Sequence, residues 1–169
     1  KDSKGGGIIS YADQGNGGNY VSNTIINNGY MLIESGRFEN VSSQAVTDNG
    51  FPHAIDNNGT LEIKGGEITN PSYSSIRIWC SDDNTVVNIY GGIFTGSIDL
   101  QNPGKGEHSG ILNIYGGTFS ESTFSNKSVI RFLNFGDDNS EMSVNISGGT
   151  FNNVFGQSSA APDFNYTEF

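Results

Sequence analysis

Val87-Asn88-Ile89-Tyr90-Gly91-Gly92-Ile93-Phe94 decides the fold of this chain, because the chain repeats it. Leu112-Asn113-Ile114-Tyr115-Gly116-Gly117-Thr118-Phe119 is nearly the same string, and Val144-Asn145-Ile146-Ser147-Gly148-Gly149-Thr150-Phe151 is a third copy. Leu61-Glu62-Ile63-Lys64-Gly65-Gly66-Glu67-Ile68 and Met31-Leu32-Ile33-Glu34-Ser35-Gly36-Arg37-Phe38 are more diverged copies. The second glycines stand at 36, 66, 92, 117 and 149, so the steps are 30, 26, 25 and 32 residues. Periods of about 20–50 residues mark stacked units, each too small to bury its own apolar face.

Each repeat has three parts. The first alternates apolar and polar residues, as in Leu61-Glu62-Ile63, which predicts a strand with one buried face. The glycine pair then turns the chain. A short second part carries one large apolar residue: Phe38, Ile68, Phe94, Phe119 or Phe151. The third part alternates again, as in Ile76-Arg77-Ile78, Ile98-Asp99-Leu100 and Ile130-Arg131-Phe132. Turn formers such as Asn57-Asn58-Gly59 and Asp82-Asp83-Asn84 close the unit. Strands this short and this evenly spaced leave no room for βαβ crossover helices, and no segment shows a 3.6-residue period. The expectation is an all-β right-handed parallel β-helix, a solenoid of about five coils with three short strands in each. Residues 1–26 form an N-terminal linker and an incomplete first coil, 27–157 the repeats, and 158–169 a tail or cap. Pro71–Ser75, Asn102–Ser109 and Glu121–Lys127 are expected to lengthen corners.

Aligning the repeats on their glycines alone brings other residues into columns about 4.8 Å apart. Glu34 falls beside Lys64 and Arg37 beside Glu67, and once the apolar-X-apolar runs of the third part are matched to one another, Arg77, Asp99 and Arg131 alternate in sign over three successive rungs. Asn88, Asn113 and Asn145 form an amide column, and Tyr90 meets Tyr115. Opposite charges on adjacent strands stabilise and like charges destabilise. The charge pairing took no part in the alignment and supports it independently.

The bulk properties narrow the partners. The net charge is −10, which opposes a nucleic-acid role, since phosphate contacts need clustered Lys and Arg. No apolar run approaches the ~18 residues of a membrane span. One cysteine, Cys80, allows no internal disulfide and reads as a quiet, half-buried thiol. An open solenoid end is an unpaired edge that needs a cover, so a longer parent chain or a homo-oligomer such as a trimer is expected.

Over about residues 27 to 157 the repeats resemble the right-handed β-helix repeats of the pectin-lyase-like superfamily. The Asn-Ile-Tyr-Gly-Gly-Thr-Phe type of string is similar to repeats in surface-exposed proteins of gut bacteria and in appendage proteins of their phages. Such β-helices serve as polysaccharide lyases and hydrolases, as adhesins, and as phage fibres; fold does not choose among these.

Candidate chemistry falls in three places. Asp82-Asp83 and Asp137-Asp138 stand at equivalent turns two rungs apart, roughly 10 Å. Inverting glycosidases separate their carboxylates by about 6.5–9.5 Å. The same four aspartates are the metal candidates, since calcium takes about six to eight oxygens, although aspartates at turns commonly bond their own backbone. The spacing fits neither an EF-hand nor a nonapeptide calcium repeat, so no cofactor is the expectation and calcium the exception. The β-helix polygalacturonases carry Gly-His-Gly and Arg-Ile-Lys strings. Gly-His-Gly is absent here, and of the second only Arg77-Ile78 remains. A β-helix lyase would use an arginine base beside carboxylates, which makes Arg77, Asp99 and Arg131 the catalytic candidates; the same column also reads as a surface charge ladder. His53 and His108 lie in different corners and read as loop residues. Tyr90 and Tyr115 project outward by alternation, and with Trp79 they form the candidate ligand-binding set, suited to glycan or protein contact. The expected function is a non-catalytic, surface-exposed structural or adhesion module outside the cell or on a virion. The alternative is a polysaccharide-acting lyase or glycoside hydrolase.

Overall fold

The computed structural model describes residues 7–10, 23–41, 52–80, 85–102, 109–121, 128–134, 141–152 and 155–157. Their regular structure is all β-strand. The strands begin with β1 (Gly7–Ser10), β2 (Ile25–Asn27), β3 (Tyr30–Ile33), β4 (Arg37–Asn40) and β5 (His53–Asn57). Next come β6 (Thr60–Ile63), β7 (Glu67–Trp79), β8 (Thr85–Ile89), β9 (Ile93–Asn102) and β10 (Ser109–Ile114). β11 (Thr118–Ser120), β12 (Ile130–Asn134), β13 (Glu141–Ile146), β14 (Thr150–Asn152) and β15 (Phe155–Gln157) complete the order.

Two parallel sheets result. The smaller runs β13-β10-β8-β6-β3. The larger runs β1-β4-β7-β9-β11-β14, and β2, β5, β12 and β15 form a second branch through the long strands β7 and β9. Neighbours in space are therefore one repeat apart in sequence. In the small sheet Ile33, Ile63, Ile89, Ile114 and Ile146 are successive register partners, so Ile63, Ile89 and Ile114 lie side by side. In the large sheet Phe38, Ile68, Phe94, Phe119 and Phe151 form a second column, and Ile25, Ile55, Ile76, Ile98 and Ile130 a third. The middle members of all three columns belong to one hydrophobic core. Phe94, Phe119 and Phe151 stack there ring on ring, with centroids 4.7 Å apart.

The glycine pair fixes the corner between the sheets, and its two members act differently. The second member has φ between +104° and +120° at Gly36, Gly66, Gly92, Gly117 and Gly149, a region open mainly to glycine. The corners then bond to one another: the Ile93 N–H donates to Gly66 O at 2.8 Å, Thr118 to Gly92 O at 2.9 Å and Thr150 to Gly117 O at 2.8 Å. The first member answers to the level beneath it. A Cβ at Gly116 would lie 2.8 Å from Tyr90 O, and one at Gly148 only 2.4 Å from Tyr115 O. Serine stands at this position only in the first copy, Ser35, which follows β3, the last strand of the small sheet among the described residues.

Two local expectations are corrected. Pro71–Ser75 does not leave the sheet as a lengthened corner; it runs inside β7, with register shifts between Thr69 and Ser74 and between Ser74 and Ile76. Asn70 makes this possible, because its Oδ1 accepts from the Ser72 and Tyr73 N–H groups at 3.2 and 3.0 Å. Its Nδ2 donates to Pro52 O at 2.7 Å. His53, expected in a loop, opens β5 and is buried. Most of the expected insertions at Asn102–Ser109 and Glu121–Lys127, and the tail at 158–169, lie outside the described residues.

Candidate functional site

The charged column is real in register and different in surroundings from the sequence reading. Arg77 pairs with Asp99, and Asp99 with Arg131, on successive strands β7, β9 and β12. Asp56 of β5 adds a fourth member below Arg77. The column thus reads acid, base, acid, base. It is not a surface ladder, because the Asp99 side chain is 0% exposed and that of Asp56 5%. Arg77 clamps Asp56 with two bonds, Nε to Oδ1 at 2.8 Å and Nη2 to Oδ2. Arg131 clamps Asp99 likewise, Nε to Oδ1 at 2.7 Å and Nη2 to Oδ2. The Ser74 hydroxyl donates to Asp99 Oδ2, and Asn23 Nδ2 donates to Asp56 Oδ2 at 2.9 Å. Charge-assisted, bidentate pairs of this kind are the strong ones. Burial alone would raise the Asp99 carboxyl; the Arg131 charge and hydrogen bonds, with His53 and Ser74, outweigh it and hold the group below its ordinary value.

His53 joins this cluster. Its backbone is tied down by the Asn23 Oδ1 acceptor at 3.0 Å and by Asn40 Nδ2, which donates to its carbonyl at 3.2 Å. Its Nδ1 is buried without a hydrogen-bond partner among the described residues. Burial, then the Arg77 and Arg131 charges, push the imidazole down to about 4 against the partial offset of Asp99 and Asp56. It is held neutral near pH 7.

The tyrosines build a separate surface. Tyr90 and Tyr115 follow β8 and β10 at the glycine corner, with ring centroids 4.9 Å apart and planes 10° from parallel. They are 48% and 50% exposed. Ile93, just across the corner, is 54% exposed, so the strip is apolar on both sides of the glycines. Beside it Asn113 Nδ2 donates to Asn88 Oδ1 and Asn145 Nδ2 to Asn113 Oδ1, each at 2.8 Å. Trp79 does not join the tyrosines. It lies at the end of β7 in the other sheet, half-buried, with the Arg77 guanidinium 4.6 Å from its ring centroid. Cys80 follows it, fully buried rather than half-buried, with its thiol pushed up to about 11 by burial.

Comparison with protein-family models, with curated proteins and with solved structures finds no match. The site therefore has to be read from its own chemistry. The catalytic candidates Arg77, Asp99 and Arg131 are brought together, with both guanidiniums already occupied by carboxylates. The candidate metal ligands Asp82, Asp83, Asp137 and Asp138 lie outside the described residues, as does His108. Among the described residues no group of three or more His, Cys, Asp or Glu is placed to hold a metal ion, and no helix is long and apolar enough to cross a membrane.

The sequence reading missed Asp56, Ser74 and the burial of His53. A signal for Asp56 was present: Ile55-Asp56-Asn57 matches Ile25-Ile26-Asn27 one repeat earlier, and Asp56 completes the alternation of sign below Arg77. Nothing in the sequence marked Ser74 as a hydroxyl donor to a buried carboxylate, because the register shift that puts it there has no sequence signature of its own.

Proposed function

We propose that the chain winds as a right-handed parallel β-helix of about five coils and acts as a rigid, non-catalytic display module. Its place would be outside the cell or on a virion, and its contact with a glycan or host surface would run through the Tyr90–Tyr115 corner. The observation that carries this reading is the contrast between the two built surfaces. The tyrosine pair stands half exposed on a corner whose backbone is bonded level to level. The charged column, by contrast, is neutralised within itself and buried. A preformed array of rings and amides binds with little ordering cost. An arginine base, as a β-helix lyase would need, has to be free to take a proton, and here each arginine is doubly bonded to a carboxylate.

The test is a glycan array read beside a polysaccharide depolymerisation assay, with wild type compared to a Tyr90→Ala/Tyr115→Ala variant. The reading expects array signal that the double variant loses with its melting temperature little changed, and no depolymerisation. Chain cleavage abolished by Arg131→Met, or array signal indifferent to the tyrosines, would overturn it.

A further inference from the structure

The wall around the glycine corner changes character along the stack. Residues 30–39 carry Glu34, Arg37 and Glu39, and residues 60–69 carry Glu62, Lys64 and Glu67. The three following levels, residues 86–95, 111–120 and 143–152, carry no charged residue. Their outward positions are Asn, Ser, Thr, Tyr, Val or Ile. The chain as a whole has a net charge of −10. An uncharged face three levels deep on a strongly acidic chain suits a partner without charge. An anionic partner is repelled by the field of the whole molecule, and a cationic one finds no carboxylate among these residues.

On this face the tyrosine column comes down to a step. Ile63, Ile89, Ile114 and Ile146 are successive register partners, so the residues after them, Lys64, Tyr90, Tyr115 and Ser147, follow one another along the wall. Main-chain bonds keep the same order: the Tyr115 N–H donates to Ile89 O at 2.7 Å and the Ser147 N–H to Ile114 O at 2.8 Å. Tyr90 and Tyr115 stack, so one face of each ring is taken by the other. Half of Tyr115 still meets solvent. The neighbour on its other side is Ser147, whose side chain is too short to cover a ring. Asn145 stands next to Ser147 on the same face, and both are exposed. One Asn145 Nδ2 hydrogen is given to Asn113 Oδ1 at 2.8 Å, which leaves the second as a donor. The Ser147 hydroxyl donates to Ile114 O at 3.4 Å, which leaves its oxygen as an acceptor.

We infer that Tyr115, Ser147 and Asn145 form a subsite for one ring of an uncharged glycan, an inference that rests on the contact reading proposed above. The sugar ring lies over Ser147 with its C–H face on the Tyr115 ring, and its hydroxyl rim meets the free Asn145 N–H and the Ser147 oxygen. Tyr90 backs Tyr115 and fixes its plane, so it is a positioning residue. A sugar fits this step because it has an apolar face and a polar rim. An apolar side chain of a protein partner would cover the amide and the hydroxyl without bonding them, which costs free energy.

The experiment uses the full chain on an array of uncharged hexose and N-acetylhexosamine oligosaccharides beside uronate-, sialate- and sulfate-bearing ones. The strongest binder is then titrated by calorimetry. Wild type should bind uncharged glycans and leave the anionic ones. Tyr115→Ala should weaken the titrated binding about tenfold, the order of one lost aromatic contact. Asn145→Leu should weaken it about fivefold, the order of one hydrogen bond. Ser147→Tyr, which fills the step and extends the ring stack, should abolish it without lowering the melting temperature. Tyr90→Ala should weaken binding less than Tyr115→Ala, and Tyr90→Phe, which still stacks, should restore it. No signal from wild type, or signal indifferent to both tyrosines, would overturn the contact reading and this inference with it. Signal confined to anionic glycans, undiminished binding by Ser147→Tyr, or equal losses from Tyr90→Ala and Tyr115→Ala would overturn this inference alone.

Discussion

Acid should loosen this fold in two separable steps, and the first belongs to His53. The side chain is 2% exposed, its Nδ1 lacks a described partner, and Arg77 of β7 and Arg131 of β12 act on it against Asp56 of β5 and Asp99 of β9. Its folded pKa is about 4 against an ordinary 6.5. Between those values the unfolded chain binds a proton that the folded chain refuses, so stability falls as pH drops from 6.5 toward 4 and this loss is complete below 4. Each pKa unit corresponds to about 1.36 kcal/mol, so the step is worth about 3 kcal/mol. Asp99 acts in the same direction over a lower range: its folded value is also lowered, so its contribution is fully present above the ordinary carboxylate range. That contribution is lost only as pH falls below the range, after the histidine step. The assay is urea unfolding at a series of pH values from 7 to 3.5, followed by the fluorescence of Trp79, the only tryptophan, which sits on Arg77 of the same cluster. His53→Leu, close in volume and unable to titrate, should flatten the dependence between pH 6.5 and 4 and leave the later step. If wild type and His53→Leu lose stability in parallel across that interval, the reasoning is wrong.

Other substitutions test the packing. Asp99→Asn leaves the Arg131 guanidinium part-buried without its counter-charge, and should cost about 3–5 kcal/mol in denaturant unfolding, most of which an Asp99→Leu/Arg131→Met pair recovers. Phe119→Ala empties the middle of the ring stack and should cost about 3–5 kcal/mol, whereas Phe151→Ala, at the partly covered end, should cost clearly less in the same melts. Gly117→Ala, at φ +118° with its new Cβ 3.1 Å from the Phe119 ring, should cost about 1–3 kcal/mol, while Ser35→Gly should cost no more than the entropy of one added glycine, under about 1 kcal/mol.

Why the strand register was legible and the buried cluster was not is itself a physical matter. A parallel stack of short strands repeats one local problem, namely how to turn between two sheets while staying bonded to the level below. The answer is the glycine pair, so it recurs in sequence at the same phase, and aligning on it places Ile63 against Ile89 and Arg37 against Glu67 as observed. The information is local and repeated, hence readable. The cluster of His53, Asp56, Ser74 and Asp99 is not repeated. It depends on a register shift inside β7, on Asn70 holding Pro71 within the strand, and on both faces of β5 being buried. Period-two alternation assigns Asp56, Arg77 and Asp99 to the outward face, and that much holds. It says nothing about whether the outward face meets water.

Burial of that face also decides which residues remain available for contact. Ion pairs at a solvated surface contribute about 0–1 kcal/mol and exchange partners freely, so an exposed Arg-Asp-Arg column would have been the natural place for an acidic or basic ligand to dock. With Asp99 enclosed and both arginines bidentately held, a ligand would have to break a desolvated pair before making its own, which costs more than a surface contact returns. The tyrosine corner carries no such penalty. Its rings are already ordered by stacking, its backbone by the bonds between successive glycine corners, and its apolar area is already in water. The repeat that builds the fold therefore also builds the surface from which contact costs least.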